Sequence, residues 1–194
     1  MMTSERIARV ASVGAPLLDL RLRTARLDLR PLVGSDAPAL AEHLSDPEVT
    51  RWLARVPHPY RLSDAVTFVE QARLSAAAGA ALTVALIPRD GDGSAIGVAV
   101  VHGLKGEPEF GYWLARPNWG AGLMGEAAAS VLRHAVYILG LTRIRSGAFA
   151  GNIASLAIQR RNGFVVTGAS HRLCLAEGRM KDHIDTLLEV RPDP

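Results

Sequence analysis

The chain is expected to fold as a single α/β domain of the α+β kind: a central, mostly antiparallel mixed sheet of about seven strands, flanked by four or five helices. Three observations lead there. Apolar residues alternate or run continuously over short segments, and recur at helical spacing over others. The loops RDGDGS and KGEP join three consecutive strand-like segments too tightly for a crossover, which makes an antiparallel meander. Farther on, strand, glycines, helix, strand and helix follow one another, so the strands over 109–115 and 143–149 are expected to be parallel neighbours.

The elements follow in order. Residues 1–20 read as a weakly ordered or amphipathic lead-in, and 21–194 as the domain. LRTARLDLRPL (22–32) places Leu27 and Leu29 on one face and Arg26, Asp28 and Arg30 on the other, a half-buried strand closed by Pro31. Ser35 or Asp36 caps a helix over 34–44, and Asp46 with Pro47 opens a short one over 46–53. After the break VPHPY, a longer helix runs from Ser63 or Asp64 to Gly79. Strands are expected over 80–88, 95–104 and 109–117, the last ended by Pro117. A helix over 125–140 lines up Met124, Ala127, Ala128, Val131, Ala135 and Ile138 as one apolar stripe. A strand over 142–150, a helix over 152–162 capped by Asn152, and a hairpin turning near Glu177 and Gly178 complete the chain.

Composition narrows the function. With 194 residues, 48% hydrophobic and 21% charged, the chain can bury a sizeable core and is ordinary for a globular domain. The single cysteine, Cys174, excludes an internal disulfide and a cysteine cluster, and is expected to be a small buried apolar residue. No spacing of histidine, cysteine and carboxylate matches a metal site. No apolar run approaches the roughly 18 to 20 residues that span a bilayer, and the first 20 residues lack a signal-peptide core. A cytoplasmic protein with no membrane partner is therefore expected. Lys105 and Lys181 are the only lysines, so arginine supplies 20 of the 22 basic residues. The arginines are spread without a dense basic tract, which argues against nucleic acid, whereas a phosphate-bearing small molecule needs only a local basic rim.

The stretch NWGAGLMGEA (118–127) puts three glycines between a strand and a helix. The first turn of a helix has unpaired N–H groups and the positive end of the dipole, and residues without a Cβ let an anion approach them. It is not a Walker loop, and the strand before it belongs to a meander, which does not fit a dinucleotide fingerprint. From the glycines alone, an anion site and tight packing stand as equals. NIASLAIQRRNGF (152–164) supplies a second helix start after the next strand. If the two parallel strands splay, their ends form a cleft between two helix N-termini, where a pantetheine-like arm could add itself to the open strand edge.

LRTARLDLRPL, EFGYWLARPNWGAGLMGEA, NIASLAIQRRNGF and the closing GRMKDHIDTLL, in this order and spacing, resemble the GCN5-related N-acetyltransferase (GNAT) superfamily, specifically its RimJ/RimL-type branch, over residues 22–190. The resemblance implies a GNAT-like domain with a cleft for acetyl-CoA as cosubstrate. Its pyrophosphate would lie on the amides of Trp119, Gly120, Ala121, Gly122, Leu123, Met124 and Gly125. The pantetheine arm would run along the strand Tyr112–Ala115, past Trp113, Leu114 and Ala115, with Asn152 and Ser155 near the same arm. Gly120 and Gly122 would clear the way for phosphate, while Gly125 would ease the helix past the neighbouring strand. Two departures stand out: Met124 replaces the usual small residue, and Gln159 takes the place of a tyrosine thought to protonate the departing thiolate.

A CoA-like thiol, with a pKa near 8.5, leaves tolerably as a thiolate, and an α-amine near 8 is already about a tenth neutral at pH 7. Direct attack by an amine therefore demands mainly positioning and charge stabilisation. Ser155 matches the serine of the branch's N-x-x-S pattern and is the remaining hydroxyl for the thiol, and Glu109 is the candidate base or amine-orienting group. His171 and His183 read as structural or exposed, and Tyr112, Trp113 and Trp119 as core or cleft wall. The expected acceptor is a protein N-terminal α-amine, with a small-molecule amine or a non-catalytic acyl-CoA-binding module as alternatives. Hydrophobic edges on antiparallel last strands are compatible with a homodimer.

Overall fold

A computed structural model describes residues 17–190. Most of the lead-in assigned to residues 1–20 lies outside the described residues, but Leu17 and Leu20 at its end are buried in the core. Eight strands form one sheet: β1 (Leu22–Arg23), β2 (Leu27–Arg30), β3 (Ala81–Pro88), β4 (Gly97–His102), β5 (Glu109–Leu114), β6 (Arg143–Phe149), β7 (Val165–Cys174) and β8 (Arg179–Glu189). Their order in space is β1-β2-β3-β4-β5-β6-β8-β7, with β5 and β6 parallel and every other pair antiparallel. The helices are α1 (Ala37–Leu44), α2 (Pro47–Thr50), α3 (Leu62–Ala77), α4 (Leu123–Tyr137) and α5 (Ile153–Arg161).

Alternation along the strands divides two cores between the two faces of the sheet. Leu82, Val84, Phe110 and Leu114 pack with Met124, Ala127 and Val131 of α4, and Ile158 of α5 joins them. Ala85, Val98 and Trp113 pack on the other face with Leu40 and Leu44 of α1 and with Ala65 and Val69 of α3. Each fully buried Leu or Val contributes about 1.5–3 kcal/mol. The sandwich therefore holds β5 rigidly from both sides.

Four details differ from expectation, each for a local reason. The strand over 22–32 breaks into β1 and β2, because Thr24 and Leu27 exchange hydrogen bonds: Thr24 Oγ1 donates to Leu27 O at 3.1 Å and accepts from Leu27 N at 2.9 Å. That turn brings the count to eight strands. The helix over 46–53 keeps only α2, since Trp52 N and Leu53 N bond three residues back, to Val49 O and Thr50 O. Helix α4 opens two residues earlier than expected, at Leu123, with Gly122 as its N-cap. Ile138 leaves the apolar stripe, being 71% exposed just after α4 ends.

The parallel neighbours β5 and β6 share one register pair, Glu109 with Arg145. Arg145 N donates to Pro108 O at 2.7 Å, and Ser146 Oγ donates to Phe110 O at 2.9 Å. Beyond these ties the two strands diverge with no further register pair between them among the described residues.

Candidate active site

Where β5 and β6 part, a cleft of about 900 Å³ opens through the sheet. Ala115 N donates to Ile96 O, beyond the β4 end of the ladder, so by alternation the main chain of Trp113 and Ala115 turns towards β4. The main chain of Phe110, Tyr112 and Leu114 turns towards the gap. Ser146 takes the carbonyl of Phe110, and the Trp119 indole donates to that of Leu114 at 2.7 Å. This leaves the main chain of Tyr112 facing the gap with no strand beside it.

The glycine loop forms one end of the cleft. Gly120 and Gly122 have φ of 76° and 77°, a left-handed backbone that L side chains rarely adopt. A Cβ on Gly120 would meet nothing within 4 Å, and one on Gly122 would touch only Arg26 Nη2 at 3.6 Å, so these glycines face open space. The first bond of α4 is Glu126 N to Gly122 O at 3.2 Å, which leaves the preceding amides of the first turn unpaired and directed outward. Arg26 fixes the loop from the β1–β2 turn: its Nη1 donates to Ala121 O at 2.8 Å, and its N and Nε donate to the Glu126 carboxylate at 2.8 Å each. Burial opposes ionisation of Glu126, but hydrogen bonds from Thr24 and Arg26 outweigh it and lower its pKa. The ion pair neutralises a carboxylate that would otherwise repel an anion at this helix start. Met124 is 5% exposed and packs in the core, so its size does not crowd the loop. Gly125 has no packing duty either: a Cβ there would meet nothing within 4 Å, which corrects the expectation that it eases the helix past a strand.

The second helix start carries a hydrogen-bond network. Asn152 caps α5, its Oδ1 accepting from Ser155 N at 3.1 Å. Ser155 Oγ lies 2.9 Å from the Tyr112 hydroxyl and accepts from Gln159 Nε2 at 3.2 Å. Tyr112 also donates to the Ser155 carbonyl at 3.0 Å, which leaves the proton of Ser155 free to turn to the tyrosine oxygen or into the cleft. Burial raises the pKa of Tyr112 against these hydrogen bonds, so the phenol stays protonated. Gln159, where relatives are expected to carry a tyrosine, is 1% exposed. Its amide donates to Gly147 O at 2.9 Å and accepts from Thr186 Oγ1 at 2.7 Å, tying α5 to β6 and β8.

The other end of the cleft, on the face of α1–α3, is charged. Glu109 accepts from Arg172 Nη1 at 2.9 Å, with Arg55 Nη2 at 3.5 Å and His102 Nε2 at 3.7 Å. Burial opposes ionisation of Glu109, but the Arg172 hydrogen bond and the charges of Arg172, His102 and Arg55 outweigh it and hold the carboxyl below its usual range. Burial, reinforced by the charge of Arg55, lowers the His102 imidazole against the pull of Glu109. His183, beside them, donates from Nδ1 to Asp185 Oδ1 at 2.9 Å. Trp52, Leu53, Val56, Tyr60 and Phe68 form an apolar wall, and burial with the Asp64 carboxylate pushes the Tyr60 hydroxyl up to about 12.

Of the residues singled out in the sequence, Glu109, Trp113, Leu114, Trp119, Gly120, Gly122, Leu123, Met124, Gly125, Asn152 and Ser155 line this one cleft. Ala115 is fully buried beside β4, and Ala121 is exposed on the loop with its carbonyl on Arg26. Cys174 is buried as expected. Sequence reasoning missed Arg55, His102 and Arg172, which stand in no motif and meet only through the fold; Arg26 stands in LRTARLDLRPL, but its reach to the glycine loop was missed as well.

A model of the acetyltransferase (GNAT) domain matches residues 26–165. An uncharacterized N-acetyltransferase of Bacillus licheniformis is 28% identical over 163 residues, covering 83% of this chain and 91% of that protein. Among solved structures, RimJ of Mycobacterium smegmatis, in complex with a CoA disulfide, superposes with a TM-score of 0.75 at 22% identity, covering 86% of this chain and 87% of that one. The ribosomal-protein-S5-alanine acetyltransferase of Vibrio fischeri gives a TM-score of 0.78 at 18% identity, over 91% of this chain and all of the other. At these identities the structures establish a shared fold.

Proposed function

Because the chain belongs to the GNAT acetyltransferase family, we propose that it moves an acetyl group from acetyl-CoA to a protein N-terminal α-amine. The observation that carries this reading is the cleft opened by the single β5–β6 register pair, with a left-handed glycine cradle at the start of α4 and Ser155 at the start of α5. The cradle fits a diphosphate: its amides are unpaired, the glycine Cβ positions are open, and Arg26 removes the nearest negative charge. Acetyl-CoA supplies an activated thioester when bound there.

The residues then divide the work. The free main-chain edge at Tyr112 holds an extended arm as an added strand would. Ser155 Oγ donates a hydrogen bond to the sulfur as it leaves, while Gln159 and Tyr112 fix the serine's rotamer. Glu109, held ionised by Arg172 and Arg55, is a weak proton acceptor and serves to orient an ammonium or amine. Two CoA-bound relatives by fold, RimJ and a RimL that acts on ribosomal protein L7/L12, lend support to the cosubstrate and to a protein acceptor.

Thiol release from acetyl-CoA should be measured across α-amino peptides, lysine-containing peptides blocked at their N-terminus, and small amines including a polyamine. Turnover is expected with the α-amino peptides. Ser155→Ala should lower kcat about ten- to a hundredfold, the low end for a proton-donating group because the thiolate already leaves tolerably, with CoA affinity unchanged. Turnover confined to small amines would replace the acceptor, and CoA binding without thiol release from any amine would make the protein a binding module.

A further inference from the structure

Deepening the transferase reading, and resting on it, we infer that His183, oriented by Asp185, takes the proton from the attacking amine. The geometry is that of an imidazole held at one nitrogen and open at the other. Nδ1 donates to Asp185 Oδ1 at 2.9 Å, which fixes the tautomer and leaves the Nε2 lone pair free. Nε2 makes no hydrogen bond among the described residues, and the ring is 6% exposed while lining the cleft. Phe149 meets it edge-on with centroids 5.9 Å apart, which limits its tilt.

Gly147 gives this ring its place. It lies on β6 just past the point where β5 departs, and a Cβ there would run into the His183 ring and the Ile184 carbonyl. On its other side the same glycine offers its carbonyl to Gln159 Nε2, which also reaches Ser155 Oγ. One glycine of the splayed strand thus separates the imidazole from the serine. A thioester carbon placed in the gap would have the sulfur side towards Ser155 and the amine side towards His183.

The charged groups facing His183 are Asp185 on its own strand, Arg172 on β7, which is 3.6 Å from Asp185, and Glu109 on β5. From β6 it meets Gly147 and the Phe149 ring, over which Lys181 Nζ sits at 4.8 Å. Burial and the Arg172 charge lower the imidazole against the pull of Asp185 and Glu109, so it is neutral and able to accept at pH 7. Glu109, with the Arg172 and Arg55 guanidinium groups on it, is not placed to compete. In the step, the amine nitrogen bonds to the acetyl carbon and the C–S bond breaks. One amine proton passes to Nε2 and from there to water, and the thiolate leaves within reach of the Ser155 hydroxyl and is protonated from solvent. A base of this strength suits an α-amine near pKa 8 and not a lysine near 10.4.

The test compares His183→Gln and Asp185→Asn with the full-length wild type on an α-amino peptide that the wild type acetylates, from about pH 5.5 to 9. CoA calorimetry and thermal melting serve as controls. His183→Gln is expected to lower kcat about a hundredfold at pH 7 with CoA affinity held, and to recover towards pH 9 as the peptide amine becomes neutral unaided. Asp185→Asn should lower kcat about tenfold and shift the acid limb of the profile, since the ring remains but its tautomer is no longer fixed. Activity within about threefold of wild type and an unmoved acid limb in both variants overturns the inference while leaving the transferase intact. The same holds for a deficit that is equal at every pH. Should His183→Gln fail to fold, the Asp185→Asn profile decides alone. Wild-type protein that binds CoA but releases thiol from no amine removes the transferase reading, and the inference with it.

Discussion

Gln159 replaces the acid expected of relatives with an amide that stitches three elements together. Its Nε2 reaches the half-buried Gly147 O and Ser155 Oγ, and its Oε1 accepts from the buried Thr186 Oγ1. Gln159→Leu keeps the volume but strands the Gly147 carbonyl and the Thr186 hydroxyl. It should cost about 1–3 kcal/mol, seen as a fall of several degrees in melting temperature. An unchanged melting temperature would mean that water replaces the amide. At Glu109 the charges make a different prediction. Held ionised by Arg172 and Arg55, it binds the acceptor in ground and transition state alike, so Glu109→Gln should raise the acceptor KM about tenfold and leave kcat within about threefold. A fall in kcat with loss of the acid limb would instead assign the proton transfer to Glu109.

The element that decides the phosphate end is the start of α4. Gly122 is its N-cap at φ 77°, where an alanine is strained even though its methyl has room. Gly122→Ala should therefore cost about 1 kcal/mol or more and weaken CoA binding several-fold by turning the loop amides, as calorimetry would show. Binding unchanged in that variant would place the diphosphate elsewhere. This end of the site was legible in the sequence because strand, glycines and helix are contiguous, and the meander was legible because its loops are short. The α4 start was misplaced by two residues because a left-handed glycine caps a helix without a side chain to announce it. The β1–β2 break was hidden in the side-chain hydrogen bond of Thr24. The charged end was illegible for a deeper reason. Arg55, His102, Glu109, Arg172 and His183 come from a loop and four different strands, and they meet only because β8 inserts between β6 and β7. No local pattern encodes that order, so His183 looked like a lone histidine on a final strand.

Across the whole molecule the perturbed histidines and carboxylates push stability in one direction with pH. Burial lowers His102, His134 and His183, in two cases with help from neighbouring arginines. A histidine depressed in the folded state binds its proton more readily when unfolded. Stability therefore falls as pH drops through about 6.5 and goes on falling until the folded value is reached. Glu109, Glu126, Glu177 and Asp185 are lowered as well, net of the burial that opposes them in each. Their stabilisation is present above about pH 4 and is lost as pH falls below it. The two steps have different origins, which salt should separate. Glu126 and Glu177 lie near the surface in pairs with Arg26, Arg179 and Lys181, so the lower step is partly screened at high ionic strength. The upper step rests first on desolvation of imidazoles and should persist. Melting temperature should thus decline between about pH 7.5 and 5.5 by a similar amount in about 0.05 and 0.5 M salt, and decline again below about pH 4.5 by an amount that shrinks in the higher salt. His183→Gln should reduce the upper step more than the lower one, because it removes one of the three imidazoles and only one partner of Asp185. A flat melting temperature from about pH 7.5 to 5.5 would show that these histidines titrate normally in the fold.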